Sequence, residues 1–201
     1  MRTLENALRR VGFCYVAGAD EVGRGCLAGP VVAAAVVLHP DRHIPRVSDS
    51  KLVPAVERAR LFDLIVRDAV AWAVAEADPR EIDHINIHQA SLKAMQRAVM
   101  ALAPLPDIVL VDAFRVPDLP MAQRSVLHGD RRCSAIAAAS IIAKVTRDRQ
   151  MLALHDEDPR YGFDRHKGYA TADHLEAVAR FGYSDAHRRS FRPATLFDTI
   201  D

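Results

Sequence analysis

The sequence predicts a mixed α/β fold, a β-sheet flanked by helices, with a helical extension at its C-terminal end. Three observations predict it. Short valine-rich runs at 31–38 and 107–111 suit buried strands. Apolar residues at helical spacing over 54–69 and 92–102 suit amphipathic helices. A long alanine- and isoleucine-rich run at 135–151 suits a helix packed tightly on a sheet.

Taken in order, residues 1–13 read as a short amphipathic helix or a loose start. Tyr15 to Ala19 reads as a strand ending at Asp20 and Glu21. Gly23-Arg24-Gly25 is then a turn, because glycine adopts backbone angles other residues avoid. Val31 to Leu38 is a second strand, forming a hairpin with carboxylates at its mouth. Pro54 suits the first turn of a helix carrying Leu61 and Ile65 on one face and running to Ala69. Val70 to Ala75 suits a third strand. Pro79 opens another helical stretch, with Leu92, Met95, Val99 and Leu102 on its periodic face and Pro104 and Pro106 as its stop.

Asp107 to Val111 is a strand that delivers Asp112, and Ser125 to Leu127 a further one that delivers Asp130 just past Gly129. Ala135 to Met151 is the long helix, 157–170 reads as loop, and His174 to Phe181 as a last helix. No linker divides the 201 residues, so they form one domain, with about 157–201 as the helical extension.

Composition excludes several classes. With 50% hydrophobic and 26% charged residues the chain is neither disordered nor a disulfide-stapled scaffold. Its longest apolar runs fall short of the roughly 20 residues of a spanning helix, and Arg2, Glu5, Arg9 and Arg10 replace a signal-peptide core. Three dispersed cysteines, Cys14, Cys26 and Cys133, suit a reducing cytoplasm, and Cys14, flanked by Phe13 and Tyr15, reads as a core residue and not a nucleophile. A net charge of +1 supplies no global basic field for nucleic acid. Carboxylates reserved for metals would, however, subtract from any basic surface. His128, His155, His166, His174 and His187 crowd the last third, which suggests a polar task there.

Asp20, Glu21, Asp112 and Asp130 stand out by position, since acids at strand termini can converge on one edge of a sheet. Clustered carboxylates repel unless cations neutralise them, and hard oxygen ligands suit Mg²⁺ or Mn²⁺. Two such ions about 4 Å apart can activate a water and stabilise a leaving oxygen. Taken singly, each acid also reads as a turn or helix cap.

The surrounding residues are more specific. The run GADEVGRGCLAGPVVAAAVVL from Gly18 to Leu38 resembles the N-terminal signature of the bacterial ribonuclease HII family. So do Asp49-Ser50-Lys51, VDAF around Asp112, HGDRRCSAIAAASIIAKVTRDR from His128 to Arg149, and YGFDRHKGYATADH from Tyr161 to His174. The blocks follow the family's order and spacing from about residue 15 to 193.

The resemblance implies a ribonuclease H-like fold and endonucleolytic cleavage of the RNA strand in RNA–DNA hybrids. It implies cutting on the 5′ side of single ribonucleotides in duplex DNA, leaving 3′-hydroxyl and 5′-phosphate ends. It assigns Asp20, Glu21, Asp112 and Asp130 to two divalent ions, Mg²⁺ or Mn²⁺, and makes the protein a cytoplasmic monomer. Gly23, Arg24 and Gly25 correspond to a loop that reads the 2′-hydroxyl, the group that tells RNA from DNA. Tyr169 corresponds to a tyrosine packing on the sugar at the ribo-to-deoxyribo junction. Lys51, Lys144, Arg147 and Lys167 are expected phosphate contacts, Lys144 and Arg147 sharing a helix face. Asp148 reads as an ordinary ion-pair partner beside Arg147.

Cys26, Leu52 and Ala113-Phe114 depart from the family's usual residues, and none of these positions is one of the four acids. His84 and His88 have a zinc-like spacing but no third ligand. No G-x-S-x-G elbow accompanies Ser134 or Ser140, which argues against a serine hydrolase. A junction resolvase or a non-cutting hybrid binder are the rivals. The Gly23–Gly25 and Tyr169 blocks argue against the first, the intact acid set against the second.

Overall fold

The computed structural model describes residues 3–45, 47, 50 and 53–191. Asp49, Lys51 and Leu52 lie outside the described residues, as does the tail from 192. The chain forms a five-stranded mixed sheet: β1 (Val16–Val22), β2 (Val31–Leu38), β3 (Ala69–Ala77), β4 (Ile108–Asp112) and β5 (Ala122–Val126), in the order β3-β2-β1-β4-β5. The first three strands pair antiparallel, whereas β4 runs parallel to β1 and β5 parallel to β4. The helices are α1 (Thr3–Arg10), α2 (Ala55–Asp68), α3 (Pro79–Ile85), α4 (Ile87–Met100), α5 (Gly129–Arg132), α6 (Ser134–Glu157), α7 (Phe163–His166) and α8 (Ala172–Phe181).

Alternation along the strands explains the two cores. Val16, Val32, Ala34 and Val36 face α6 and α2, packing with Ile136, Ile142, Leu61 and Ile65. Ala17, Ala19, Ala33, Ala35 and Val37 face the other way, onto Leu92, Met95 and Val99 of α4. Helices thus cover both faces, which is why β2 reads as an unbroken apolar run.

Gly18 sits where α6 meets β1. A β-carbon there would lie 2.2 Å from the backbone of Ala135 and Ile136. Gly18→Ala is therefore expected to push α6 off the sheet and destabilise the fold by about 3 kcal/mol, the upper part of the range for overpacking. Denaturant unfolding checks this, and a change below about 1 kcal/mol would mean that the helix can retreat freely. Glu5 is a second unforeseen anchor. It is buried to 1% exposure and accepts a hydrogen bond from the Ala135 N–H, tying α1 to the start of α6.

Several sequence expectations shift. Asp20 and Glu21 lie within β1, not after it, because the β1–β2 ladder continues through Val22. The strand expected at 125–127 begins earlier, at Ala122, and the long helix extends past Met151 to Glu157. The 157–170 stretch carries a short 3₁₀ turn at Pro159–Tyr161 and α7, so it is not plain loop. Tyr161, Phe163 and Val178 form a third small core there with Leu27, Ala28 and Met151. This core seats the C-terminal segment on the chain just after Gly25.

Cys14, expected in the core, is exposed. It precedes β1, where Asp107 accepts hydrogen bonds from the N–H groups of Cys14 and Tyr15. Asn86 separates His84 and His88 onto different helices, and His88 stacks edge-on against Phe114. Among the described residues no helix is long and apolar enough to cross a membrane.

Candidate active site

Strand pairing brings the acids together. β1 and β4 are parallel neighbours with Ala19 opposite Val111, so the next positions along the two strands are Asp20 and Asp112. Asp130 arrives on α5, whose first residue, Gly129, donates its N–H to Asp112 Oδ1 at 2.8 Å. All four acids line one cleft of about 230 Å³. Gly23, Arg24, Gly25, Lys144 and Tyr169 line the same cleft.

Alternation also puts Asp20 on the α6 face of the sheet. It is 7% exposed and hydrogen-bonded to Ser140 of α6. Ser140 in turn lies 2.8 Å from the hydroxyl of Ser50. Burial, and then the neighbouring charges of Glu21 and Asp112, push the Asp20 carboxyl well above its usual range. Burial raises Glu21 as well, opposed by its ion pair with Arg24 at 3.1 Å. Desolvated acids held this close favour a cation among them. The donors are all carboxylate oxygens, the chemistry of Mg²⁺ and Mn²⁺. Among the described residues no three such side chains already surround a common point, so the acids share a cleft without a closed cage.

The glycine turn is shaped from behind. Gly23 has a φ of +93°, and a β-carbon on it would strike Arg147 Nε at 2.2 Å. At Gly25 a β-carbon would meet nothing within 4 Å, so the chain's own packing does not demand that glycine. Arg24 lies over the Phe114 ring, 5.1 Å from its centroid. Tyr169 is 41% exposed and so presents its ring to the cleft. Cys26 is buried, and its thiol hydrogen-bonds with the Tyr169 side chain.

The four expected basic contacts fare differently. Lys144 reaches the cleft, with its ammonium 2.7 Å from Asp148, which also pairs with Arg58 at 3.5 Å. Lys167 does not line the cleft, and its ammonium donates to the Asp164 carbonyl. Lys51 is outside the described residues.

Arg147 corrects the expectation of a phosphate contact. It is fully buried, and its guanidinium donates to the carbonyls of Pro30, Ala28 and Lys167 at 2.9, 3.0 and 2.9 Å. With three internal acceptors and no exposed surface, it has nothing left for a phosphate. Asp148 accordingly pairs with Lys144 and Arg58, not with Arg147.

Arg188 is also buried and donates to the carbonyls of Gly29 and Arg24 at 2.9 and 3.0 Å. Sequence reasoning missed Arg188, Ser50 and Ser140 as parts of this site. For Ser140 the available signal was one hydroxyl within an otherwise apolar run, AAASIIA.

Comparison with known proteins gives one consistent picture. A family model described as Ribonuclease HII matches residues 17–194. The chain is 54% identical over 177 residues to Ribonuclease HII 1 of Methylibium petroleiphilum, covering 88% of this chain and 89% of that one. It is 50% identical over 193 residues to a Ribonuclease HII of Bacillus cereus, covering 96% and 75% respectively. In structure it is similar to the ribonuclease H2 from Pyrococcus horikoshii, with a TM-score of 0.75 at 26% identity. That match covers 92% of this chain and 96% of the other.

Proposed function

The chain belongs to the ribonuclease HII family, and from that premise we propose that it is an endonuclease acting on the RNA strand of RNA–DNA hybrids. It also cuts on the 5′ side of a single ribonucleotide in duplex DNA, leaving 3′-hydroxyl and 5′-phosphate ends. The observation that carries this reading is one cleft lined by four acids, a glycine turn and an exposed tyrosine. A protein of this kind works in the cytoplasm, as a monomer, with 1–201 as its catalytic domain and about 157–201 as an extension.

In this reading Asp20, Glu21, Asp112 and Asp130 hold two divalent ions, Mg²⁺ or Mn²⁺. Bound there, such ions supply an activated water and charge stabilisation at the departing 3′-oxygen. The chain's own residues do the rest. Ser140 orients Asp20 through a hydrogen bond, and the Gly129 N–H orients Asp112. The backbone of Gly23 to Gly25 reads the 2′-hydroxyl, with the open side at Gly25 leaving room for a sugar. The ring of Tyr169 packs against the following deoxyribose, where a 2′-hydroxyl would crowd or wet the contact. Lys144 faces a phosphate, so binding weakens with salt despite the net charge of +1.

The test is a labelled DNA duplex containing one ribonucleotide, incubated with Mg²⁺, Mn²⁺ or EDTA beside an all-DNA control. The expected result is a metal-dependent cut 5′ to the ribonucleotide and none in all-DNA. Binding without any cut would point to a hybrid-binding protein instead. Tyr169→Ala is expected to lose junction cleavage by about tenfold or more, in line with the worth of one stacked base or sugar contact. Equal loss at junctions and on continuous hybrids would assign Tyr169 a folding role.

A further inference from the structure

Behind the exposed Tyr169 ring lies a buried histidine pair that none of the chemistry above uses. His174 is 0% exposed and His187 2%, and their Nε2 atoms are 3.0 Å apart. Two rings in that contact require one donor and one acceptor, and their other nitrogens decide which is which. The backbone N–H of Ser184 points at His187 Nδ1 at 3.0 Å, and an N–H can only donate, so the Ser184 hydroxyl, 2.9 Å from the same nitrogen, donates to it as well. His187 therefore carries its proton on Nε2 and donates to His174 Nε2. His174 then carries its proton on Nδ1, which lies 2.9 Å from the carbonyl oxygen of Tyr169. Every link runs in one direction.

We infer that His187 and His174 are positioning residues for ribose recognition, an ordered hydrogen-bond chain from Ser184 to the Tyr169 carbonyl that sets the turn presenting the Tyr169 ring. The inference deepens the proposed function and rests on that reading.

The rest of the turn is held to match. Gly168 donates its N–H to His166 Nδ1 at 3.2 Å, and its carbonyl accepts from Leu27 at 2.8 Å. The Lys167 carbonyl accepts from Arg147, so 167–169 is fastened to the segment that follows the glycine turn. His166 stacks on His174 with ring centroids 4.4 Å apart, which fixes the plane of the His174 ring.

Both members of the pair stay neutral near pH 7. Burial first, then like charge from neighbouring histidines, lowers each from 6.5 to about 4. The other groups facing them are His166, Asp158 and the rings of Tyr161 and Tyr183. Asp164, Arg165 and Asp173 act on His166. Contact with the Ser184 backbone and the charge of Asp158 favour a proton on His187, and burial outweighs both.

The experiment combines a mutant cycle with histidine ¹⁵N spectra of the free protein. His174→Phe keeps a planar aromatic ring and loses both ring hydrogen bonds. It is expected to lower kcat/KM on a single-ribonucleotide duplex about tenfold, the effect of roughly one hydrogen bond to an ordered group. In a Tyr169→Ala background the same substitution should cost less than about twofold, because the residue acts through Tyr169. His174→Asn, whose amide can still donate to the carbonyl, should recover most of the loss.

The spectra should show His174 protonated on Nδ1 and His187 on Nε2, a reading that needs neither substrate nor variant. Equal losses in both backgrounds, no recovery with asparagine, or the opposite tautomers would overturn the inference. If His174→Phe does not fold, the asparagine variant and the spectra decide it. A wild-type protein that cuts neither substrate would overturn the proposed function itself, and the two failures are thereby distinct.

Discussion

Asp20→Asn is expected to lower metal-dependent cleavage by more than about a hundredfold, beyond what loss of a supporting group around a metal costs, while leaving the fold at least as stable. The two halves of this expectation have one cause. Asp20 is buried beside Glu21 and Asp112, so without a cation its charge is a burden to the folded chain. Asparagine keeps the shape and an oxygen to accept the Glu21 N–H, which Asp20 Oδ1 now accepts at 2.8 Å. It gives up the charge that would hold an ion. Turnover at saturating Mg²⁺, thermal melting without metal, and hybrid binding together check this. Normal turnover would sink the assignment of Asp20 to a metal, and a large drop in melting temperature would make it a structural residue.

Arg147→Ala is expected to destabilise the protein by about 4 kcal/mol, the sum of several buried carbonyls left unpaired. Three acceptors depend on that one guanidinium: Ala28, Pro30 and Lys167. Two lie just after the glycine turn and one just before Tyr169, so the loss should loosen both sides of the cleft together. Arg147→Lys should fall between wild type and alanine, because one ammonium lacks the planar fork that spans the three oxygens. A phosphate contact would behave in the opposite way. It would leave stability almost unchanged and reduce the salt dependence of hybrid binding by about one unit of slope. Urea unfolding beside a salt titration of binding separates the two, and a stable variant with a shallower slope would restore the phosphate role.

Much of this site was legible in the chain because it is local. The turn at 23–25 needs a glycine at its first position, where φ is +93°. Asp112 ends a strand that its own apolar run announces. The alanines of 135–143 announce a helix lying close on a sheet, and Gly18 is where that closeness is greatest. Arg147 was misread because a basic residue three positions from Lys144 looks the same in sequence whether it points out or in. Its three carbonyl partners lie 117, 119 and 20 residues away, and none leaves a mark near it. Cys14 was misread in the same way, since flanking Phe13 and Tyr15 suggested burial and the pairing of Asp107 with that backbone could not be seen.

By itself the sequence determined most of the element types, the two-sided burial of the central strands, the four acids as candidates and the family resemblance. Each of these follows from periodicity, from backbone chemistry or from uninterrupted blocks of residues. Tertiary structure alone decided that Asp20 and Asp112 lie on neighbouring strands and that Ser140 supports one of them. It also decided that Arg147 and Arg188 are internal struts and that two histidines thirteen positions apart share one proton order behind Tyr169. The physical reason is that direction and burial of a side chain depend on partners brought close only when the chain closes. Hydrogen bonds between residues more than a hundred positions apart have no local signature.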